Sequence, residues 1–205
     1  MENLATFAMQ ALADFRTVGA VAPSSRYLTR AMVDPLPLRH AQVVVELGCG
    51  TGTVTEMLLS QMPRKSVLLA FEINSRFSQY LKNKISDPRL VIINASAETV
   101  RQEVQRRGYQ HADAVASSLA LTLMSDRLRH DILSESGGIL SRAGVFTQFL
   151  YLHGLQWQHG RLARLPGARL LHRHFHSVER TIVWRNLPPA YVYACRGALR
   201  MPPQV

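Results

Sequence analysis

Val43-Val-Val-Glu-Leu-Gly-Cys-Gly-Thr-Gly52 is a hydrophobic run that ends in a carboxylate and then breaks into three alternating glycines. Val43 to Leu47 are mostly β-branched and almost continuously apolar, as a parallel strand buried on both faces requires. Gly48, Gly50 and Gly52 remove Cβ atoms where the chain turns sharply and where a ligand approaches backbone. Thr53 to Gln61 then resumes with helical spacing. The stretch therefore reads as a first, central strand, a glycine loop and a helix.

A glycine loop alone is a weak sign, since dinucleotide enzymes and structural turns use it too. Ser66 to Glu72 supplies a second apolar run, and it also ends in an acid. A carboxylate about 20 residues past the glycines, at the tip of the second strand, is placed to accept hydrogen bonds from two ribose hydroxyls. Glu72 is that acid. The loop has the form E-x-G-x-G-x-G, with Glu46 ahead of the first glycine, and not the dinucleotide form G-x-G-x-x-G. On these residues the stretch resembles motif I of the class I S-adenosylmethionine-dependent methyltransferases.

Two further blocks narrow the resemblance. Arg16-Thr-Val-Gly-Ala-Val-Ala-Pro-Ser-Ser-Arg26 stands ahead of motif I, and Val183-Trp-Arg-Asn-Leu-Pro-Pro-Ala190, followed by Val192-Tyr193, stands near the C-terminus. Both are similar to blocks of the bacterial phospholipid N-methyltransferases, which convert phosphatidylethanolamine stepwise to phosphatidylcholine. The resemblance runs over nearly the whole chain. It implies one methyltransferase domain over 1–205, with residues 1–34 as a helical lid or membrane-contact segment. The implied fold is α/β and Rossmann-like: a mostly parallel seven-stranded sheet with helices on both faces and an N-terminal amphipathic helix. The implied cofactor is S-adenosylmethionine, released as S-adenosylhomocysteine and held by Glu46, Gly48, Gly50, Gly52, Thr53, Glu72, Ile73, Ser96, Ala97, Glu98 and Ser117. Cys49 departs from the proline common at its position.

Net charge is +10, and after Tyr151 the only acid is Glu179 against eight arginines. So lopsided an excess points to a polyanionic partner, either nucleic acid or an anionic membrane surface, or else to a solvated face that aids solubility. The opening Met-Glu-Asn lacks a basic leader, and no apolar stretch reaches the ~20 residues of a spanning helix. The expectation is a cytoplasmic protein, peripheral on the inner face of the membrane. Cys49 and Cys195 suggest neither a metal site nor a disulfide framework, so no metal is expected.

Leu4, Phe7, Ala8, Ala11, Leu12 and Phe15 recur at helical spacing, with Asn3, Thr6, Gln10 and Asp14 opposite. Residues 2–15 are thus an amphipathic helix, for a membrane interface, a lid or the core. Pro23 and Ser24 read as the break and cap of a second helix running to about Val33. Asn74 should cap a helix through Lys84 with Phe77, Tyr80, Leu81 and Ile85 on its apolar side. Leu90 to Ile93 is a third strand. The loop after it, Ser96 to Glu98, either faces the adenine or simply starts a helix over 98–107. Ala112 onward is the fourth strand, Ser125 caps a helix through Leu140, and Val145 to Tyr151 is the fifth strand. Residues 153–168 read as a loop, Ala168 to Phe175 alternates partly, and the prolines at 188 and 189 imply a bulged or edge arrangement for the β-like runs around them.

The tip of the fourth strand faces the transfer site. In adenine-N6 methyltransferases it carries Asn-Leu-Pro-Tyr or Asn-Pro-Pro-Tyr, whose polar groups and ring grip a base; here it reads Ser117-Ser-Leu-Ala-Leu121. RNA adenine methylation is therefore the enzyme alternative, disfavoured by this tip, and a basic lipid-binding module with the cofactor as a mere structural ligand is the non-enzymatic one. Methyl transfer to an amine is an in-line displacement that needs the amine neutral and positioned. Tyr27 is the candidate to accept its proton and to hold the methylammonium by its ring. Ser117 is a second catalytic candidate, and Ser118 a substrate contact. Arg26 and Arg185 are the candidates for the lipid phosphate. His153, His172, His174 and His176 lack acidic partners and rank below Tyr27 as bases.

Overall fold

A computed structural model describes residues 25–152, 155–158, 161–164 and 166–199, the two short segments by their backbone only. The expected helix over 2–15, the block from Arg16 to Ser24, and His153 lie outside the described residues.

Strand β1 (Val43–Leu47) is buried at every position. It pairs in parallel with β2 (Val67–Phe71) and β4 (Ala112–Ser117); β3 (Leu90–Ile93) continues the parallel sheet beyond β2, and β5 (Leu140–Tyr151) beyond β4. Two further strands, β8 (Phe175–Val183) and β9 (Ala190–Ala198), complete a seven-stranded sheet of order β3-β2-β1-β4-β5-β9-β8, in which only β9 runs against the others. The strand order reverses between β1 and β4, which is where open α/β sheets bind ligands beyond their carboxyl ends.

Alternation along β1 divides the core into two layers. Val43, Val45 and Leu47 face one cluster with Val100, Val104, Ile132, Leu133 and Leu171, which lie on α4 (Val100–Arg106), α5 (Asp126–Ile139) and α6 (Gly167–His172). Val44 faces the other, with Leu28 and Met32 of α1 (Arg26–Val33) and Val54 and Leu58 of α2 (Thr53–Gln61). The same layer takes Leu81 of α3 (Ser75–Lys84), packed on Ala70. Asn74 Oδ1 accepts from the backbone N–H groups of Arg76 and Phe77, and Ser125 Oγ from that of Leu128.

Several expectations need correction. The cap of α1 is Ser25, whose Oγ accepts from Leu28 N, one residue later than Ser24. On α3, Leu81 is buried but Tyr80 is about half exposed, because α3 covers the sheet margin. The fifth strand starts at Leu140 and shifts register before Val145, so it follows α5 without a break. Within 153–168, β6 (Leu155–Gln158) and β7 (Arg161–Arg164) form an antiparallel hairpin, joined across His159 and Gly160, a two-residue spacing that suits a hairpin. Its first strand lies by the 3-10 turn Leu121–Leu123. The partial alternation after Ala168 belongs to α6, where Gly167 and Leu171, four apart, are the buried positions.

The two prolines sit in the turn between β8 and β9, so neither removes a donor from the ladder, and β9 is an interior strand. Because Val183 and Ala190 lie opposite Tyr151, this turn stands at the carboxyl edge, on the same side as the ends of β1 and β4.

Gly52 holds φ 89°, and a Cβ there would come within 2.8 Å of Leu81 Cδ2, whereas one on Gly50 would meet nothing within 4 Å. Gly52→Ala is expected to cost about 1–3 kcal/mol of stability, with a larger drop in Tm than Gly50→Ala. Equal drops in thermal melts would show that the packing of the loop on α3 is not what fixes it.

Candidate cofactor and amine site

Hydrogen bonds shape the glycine loop. Gly48 N and Cys49 N both donate to Phe71 O, at 2.8 and 3.2 Å, and Gly52 N donates to Cys49 O at 2.9 Å. Gly50 N is left to donate to Glu72 Oε2 at 2.9 Å, while Glu72 Oε1 accepts from Asn74 N at 2.9 Å. Asn94 Nδ2 donates to the carbonyls of Glu72 and Ile73, locking the end of β2 to the end of β3. Burial raises the Glu72 carboxyl above its ordinary value, although the N–H groups of Asn74, Gly50 and Ile73 oppose the shift. Leu119 closes on Gly48 and Leu81 on Gly52, so the loop is open at Gly50, beside the acid. Ile73 projects from the same strand end with its apolar side chain exposed.

This geometry fits S-adenosylmethionine: an open glycine backbone, an acid able to turn toward ribose hydroxyls, and an apolar neighbour for a ring. Thr53, half-buried, opens α2 under the loop. Ser96 and Glu98 are half-buried after β3; Ser96 caps nothing with its side chain, and Ala97 is packed into the core. Only the backbone of Ala97 is therefore available to an adenine.

Glu46 is fully buried, with Oε2 accepting from Thr55 Oγ1 at 2.7 Å and Oε1 without a hydrogen-bond partner. It joins β1 to the first turn of α2. Burial pushes its carboxyl up to about 8, the Thr55 hydrogen bond opposing. Ser117, at the end of β4, is also fully buried, and both Ser117 Oγ and Ser118 Oγ lack partners. Gln148 of β5 lies in register with Ser117; its Nε2 donates to Leu119 O and Phe149 O, and its Oε1 is unpartnered. Buried acceptors left open in this way are costly unless a ligand meets them. The sequence reading missed Gln148, yet a glutamine inside the mostly apolar strand Val145-Phe-Thr-Gln-Phe-Leu150 was the available signal.

Arg26, Tyr27 and Arg185 come together across 158 positions of chain. Arg26 Nη2 donates to the Tyr27 hydroxyl at 3.0 Å and Arg185 Nη1 at 3.4 Å. Their guanidinium carbons lie 4.9 and 5.2 Å from the ring centroid. The Arg26 hydrogen bond first, then that of Arg185, lowers the phenol's pKa. Asn186 assembles the group: its Oδ1 accepts from Ser25 N at 3.0 Å and its Nδ2 donates to Pro188 O at 2.7 Å. The group stands at the carboxyl edge. His174, by contrast, is buried ahead of β8 at the opposite edge, pushed down to about 4 mainly by burial, and His172 and His176 flank it. Among the described residues, no cluster of three or more His, Cys, Asp or Glu offers a metal site, and no helix is long and apolar enough to cross a membrane.

The family model described as a methyltransferase domain matches residues 44–144, from β1 through the glycine loop, Glu72 and the β4 tip. The fold is the Rossmann-like fold of class I methyltransferases: 1,6-didemethyltoxoflavin-N1-methyltransferase of Burkholderia thailandensis, solved with its substrate and S-adenosylhomocysteine, superposes with TM-score 0.64 at 19% identity over 95% of this chain and 88% of its own. A TehB-like S-adenosylmethionine-dependent methyltransferase of Corynebacterium glutamicum superposes with TM-score 0.60 at 14% identity over 95% and 100%. Residues 44–144 thus match a methyltransferase domain set in the fold of the class I enzymes, and the chain reads as an S-adenosylmethionine-dependent methyltransferase with S-adenosylmethionine as its cofactor. More particularly, it is 29% identical over 181 residues, 88% of each chain, to the ornithine lipid N-methyltransferase of Singulisphaera acidiphila.

The raised value of Glu46 reverses the usual acid dependence of stability. Between its ordinary 4.5 and about 8, the folded chain keeps a proton that the unfolded chain releases. Stability is therefore greatest below that window and falls as pH rises through it, by on the order of 5 kcal/mol for this one group. Glu46→Gln, which never ionises, should flatten the decline in denaturant midpoint between pH 5 and pH 8. A decline as steep as in the unaltered chain would assign it to other groups.

Proposed function

We propose that the chain N-methylates an amine-bearing membrane lipid, with phosphatidylethanolamine and its mono- and dimethyl forms as substrates on the way to phosphatidylcholine, working from the membrane surface. The observation that carries this reading is the Arg26, Tyr27 and Arg185 group at the carboxyl edge, where two cations and a phenol converge. The ethanolamine headgroup offers the matching pair, an anionic phosphate and an amine.

When bound, S-adenosylmethionine supplies a methyl on a sulfonium and leaves as S-adenosylhomocysteine. The protein's part is to place and deprotonate the amine. With a lysine-like pKa near 10, neutralising it at pH 7 costs about 4 kcal/mol. Two guanidinium groups nearby disfavour the ammonium form, and the same arginines raise the fraction of Tyr27 present as phenolate, the form that accepts the proton. Because both guanidinium groups already lie near the ring, the amine meets the hydroxyl in this arrangement. Arg26 and Arg185 hold the phosphate by charge-assisted hydrogen bonds, and Ser117, Ser118 and Gln148 offer open acceptors at the end of the sheet. Glu72 and Gly50 take the ribose, Ile73 and the Ser96–Glu98 turn the adenine, and Glu46 steadies the loop from below.

The relative at 29% identity favours a second reading, an ornithine lipid. An ornithine headgroup also joins an amine to an anion, a carboxylate that the same arginines suit.

Labelled S-adenosylmethionine, offered with anionic vesicles holding either lipid and with total RNA, separates the cases. Label on extracted phosphatidylethanolamine supports the proposal, label on ornithine lipid alone moves the chain to the second reading, and label in RNA overturns both. Glu72→Ala should weaken cofactor binding ~100-fold through two lost charge-assisted hydrogen bonds, with turnover falling in step. Tyr27→Phe should lower kcat ~10–100-fold and move the rising limb of the pH profile upward, leaving cofactor affinity as it was. An unmoved profile would remove Tyr27 as the proton acceptor.

A further inference from the structure

The turn between β8 and β9 presents Trp184 and Leu187 to solvent, 68% and 86% exposed and the most exposed large apolar side chains among the described residues. The turn is not loosely held. Asn186, between them, is buried and bonded at both ends of its amide, to Ser25 N and Pro188 O, and Leu152 N donates to Pro189 O at 2.9 Å. Pro188 and Pro189 restrict the backbone further. A braced turn that aims an indole and an isobutyl group outward gains nothing from them in folding, and such an apolar projection marks a contact surface.

The charges around it have one sign. Residues 25–33 and 180–190 contain no acid, and Arg26, Arg30 and Arg185 are exposed. Tryptophan settles at the headgroup level of a bilayer, and arginines beside it meet anionic lipid. The turn also lies at the carboxyl edge, next to Tyr27, where the acceptor amine enters.

The geometry points to the β8–β9 turn as a docking tip for an anionic bilayer, with Trp184 and Leu187 entering the boundary between headgroups and acyl chains and Arg26, Arg30 and Arg185 against the headgroups. The choice of a bilayer rests on the proposed lipid reading. The tip is a different contact from the N-terminal segment that the sequence suggests. Docked in this way, the protein holds Tyr27 at headgroup depth, and a lipid amine reaches it without its acyl chains leaving the membrane.

The chain has two tryptophans, so Trp157→Phe leaves Trp184 as the sole reporter. With vesicles of phosphatidylcholine and phosphatidylglycerol, Trp184 emission should shift to the blue and be quenched by brominated acyl chains, with weaker response to phosphatidylcholine alone. In the full chain, Trp184→Ser with Leu187→Ser should cut co-sedimentation with the anionic vesicles ~10-fold or more, with S-adenosylhomocysteine binding unchanged as the check on folding. Emission unmoved by anionic vesicles, co-sedimentation unaffected by the double substitution, or a blue shift that follows protein concentration without vesicles, as for a second copy on the tip, would overturn it. These vesicles hold no acceptor amine, so docking is read apart from turnover. Unmoved emission beside methylation of detergent-dispersed lipid overturns the tip alone; docking with no lipid methylated overturns the substrate alone.

Discussion

Two buried carboxylates at the ends of adjacent parallel strands constrain this site more than any other pair of groups. Glu46 and Glu72 each sit where burial disfavours the charged form, and the charge on Glu72 adds to the upward shift of Glu46. The glycine loop separates their environments. Its Gly50 N–H serves Glu72, which also takes Asn74 N, while Glu46 is met by Thr55 and keeps one oxygen open. One acid thus faces the loop's open side with both oxygens bonded to backbone N–H groups, and the other retains its proton beneath it. The left-handed turn at Gly52, closed against Leu81, is what lets α2 start directly below.

A second constraint ties α1 to the β8–β9 turn. The Asn186 amide connects the cap of α1 to the β8–β9 turn, and α1 packs through Leu28 and Met32 on the layer formed by Ala190, Val192 and Ala194. Arg26, Tyr27 and Arg185 therefore converge because two backbone elements are fixed together, not because their own weak surface interactions hold them. Exposed arginine contacts of that kind contribute little alone; the packing beneath decides the geometry.

Much of this was legible in the residues, and the limits have physical causes. Val43 to Leu47 and Leu90 to Ile93 announced themselves because parallel strands buried on both faces leave continuous apolar runs. Thr53 to Gln61 and Ser75 to Lys84 were bounded by glycine and asparagine signals that the backbone obeys. The region after Tyr151 was harder. The β6–β7 hairpin alternates mixed residues around His159-Gly160, and six-residue α6 is too short for helical and strand periods to be told apart. Ser24 and Ser25 are equivalent as cap residues by type; the Asn186 contact to Ser25 N, invisible in the local sequence, selects the second. Gln148 went unread because its role depends on register with Ser117, which only the sheet supplies.

The electrostatics of the proposed amine site look at first to be wrong in sign, since two arginines stand where a cationic headgroup amine must arrive. The difficulty resolves when distance is taken into account. In the proposed docking, the net charge of +10 acts on the membrane as a whole at long range, and an anionic bilayer draws the basic edge in over about a Debye length. The zwitterionic headgroup, neutral overall, is neither attracted nor repelled at that range. In the proposed complex its anion pairs with the guanidinium groups, and the residual field falls on the ammonium, which becomes easier to deprotonate. The same field holds the Tyr27 phenol below its ordinary pKa. Both groups are thereby shifted toward their deprotonated forms by one pair of charges, with the difference between them left as it was. In the proposed reaction a fully methylated nitrogen has no proton to give up, so the field that favours the neutral amine no longer favours the bound headgroup nitrogen.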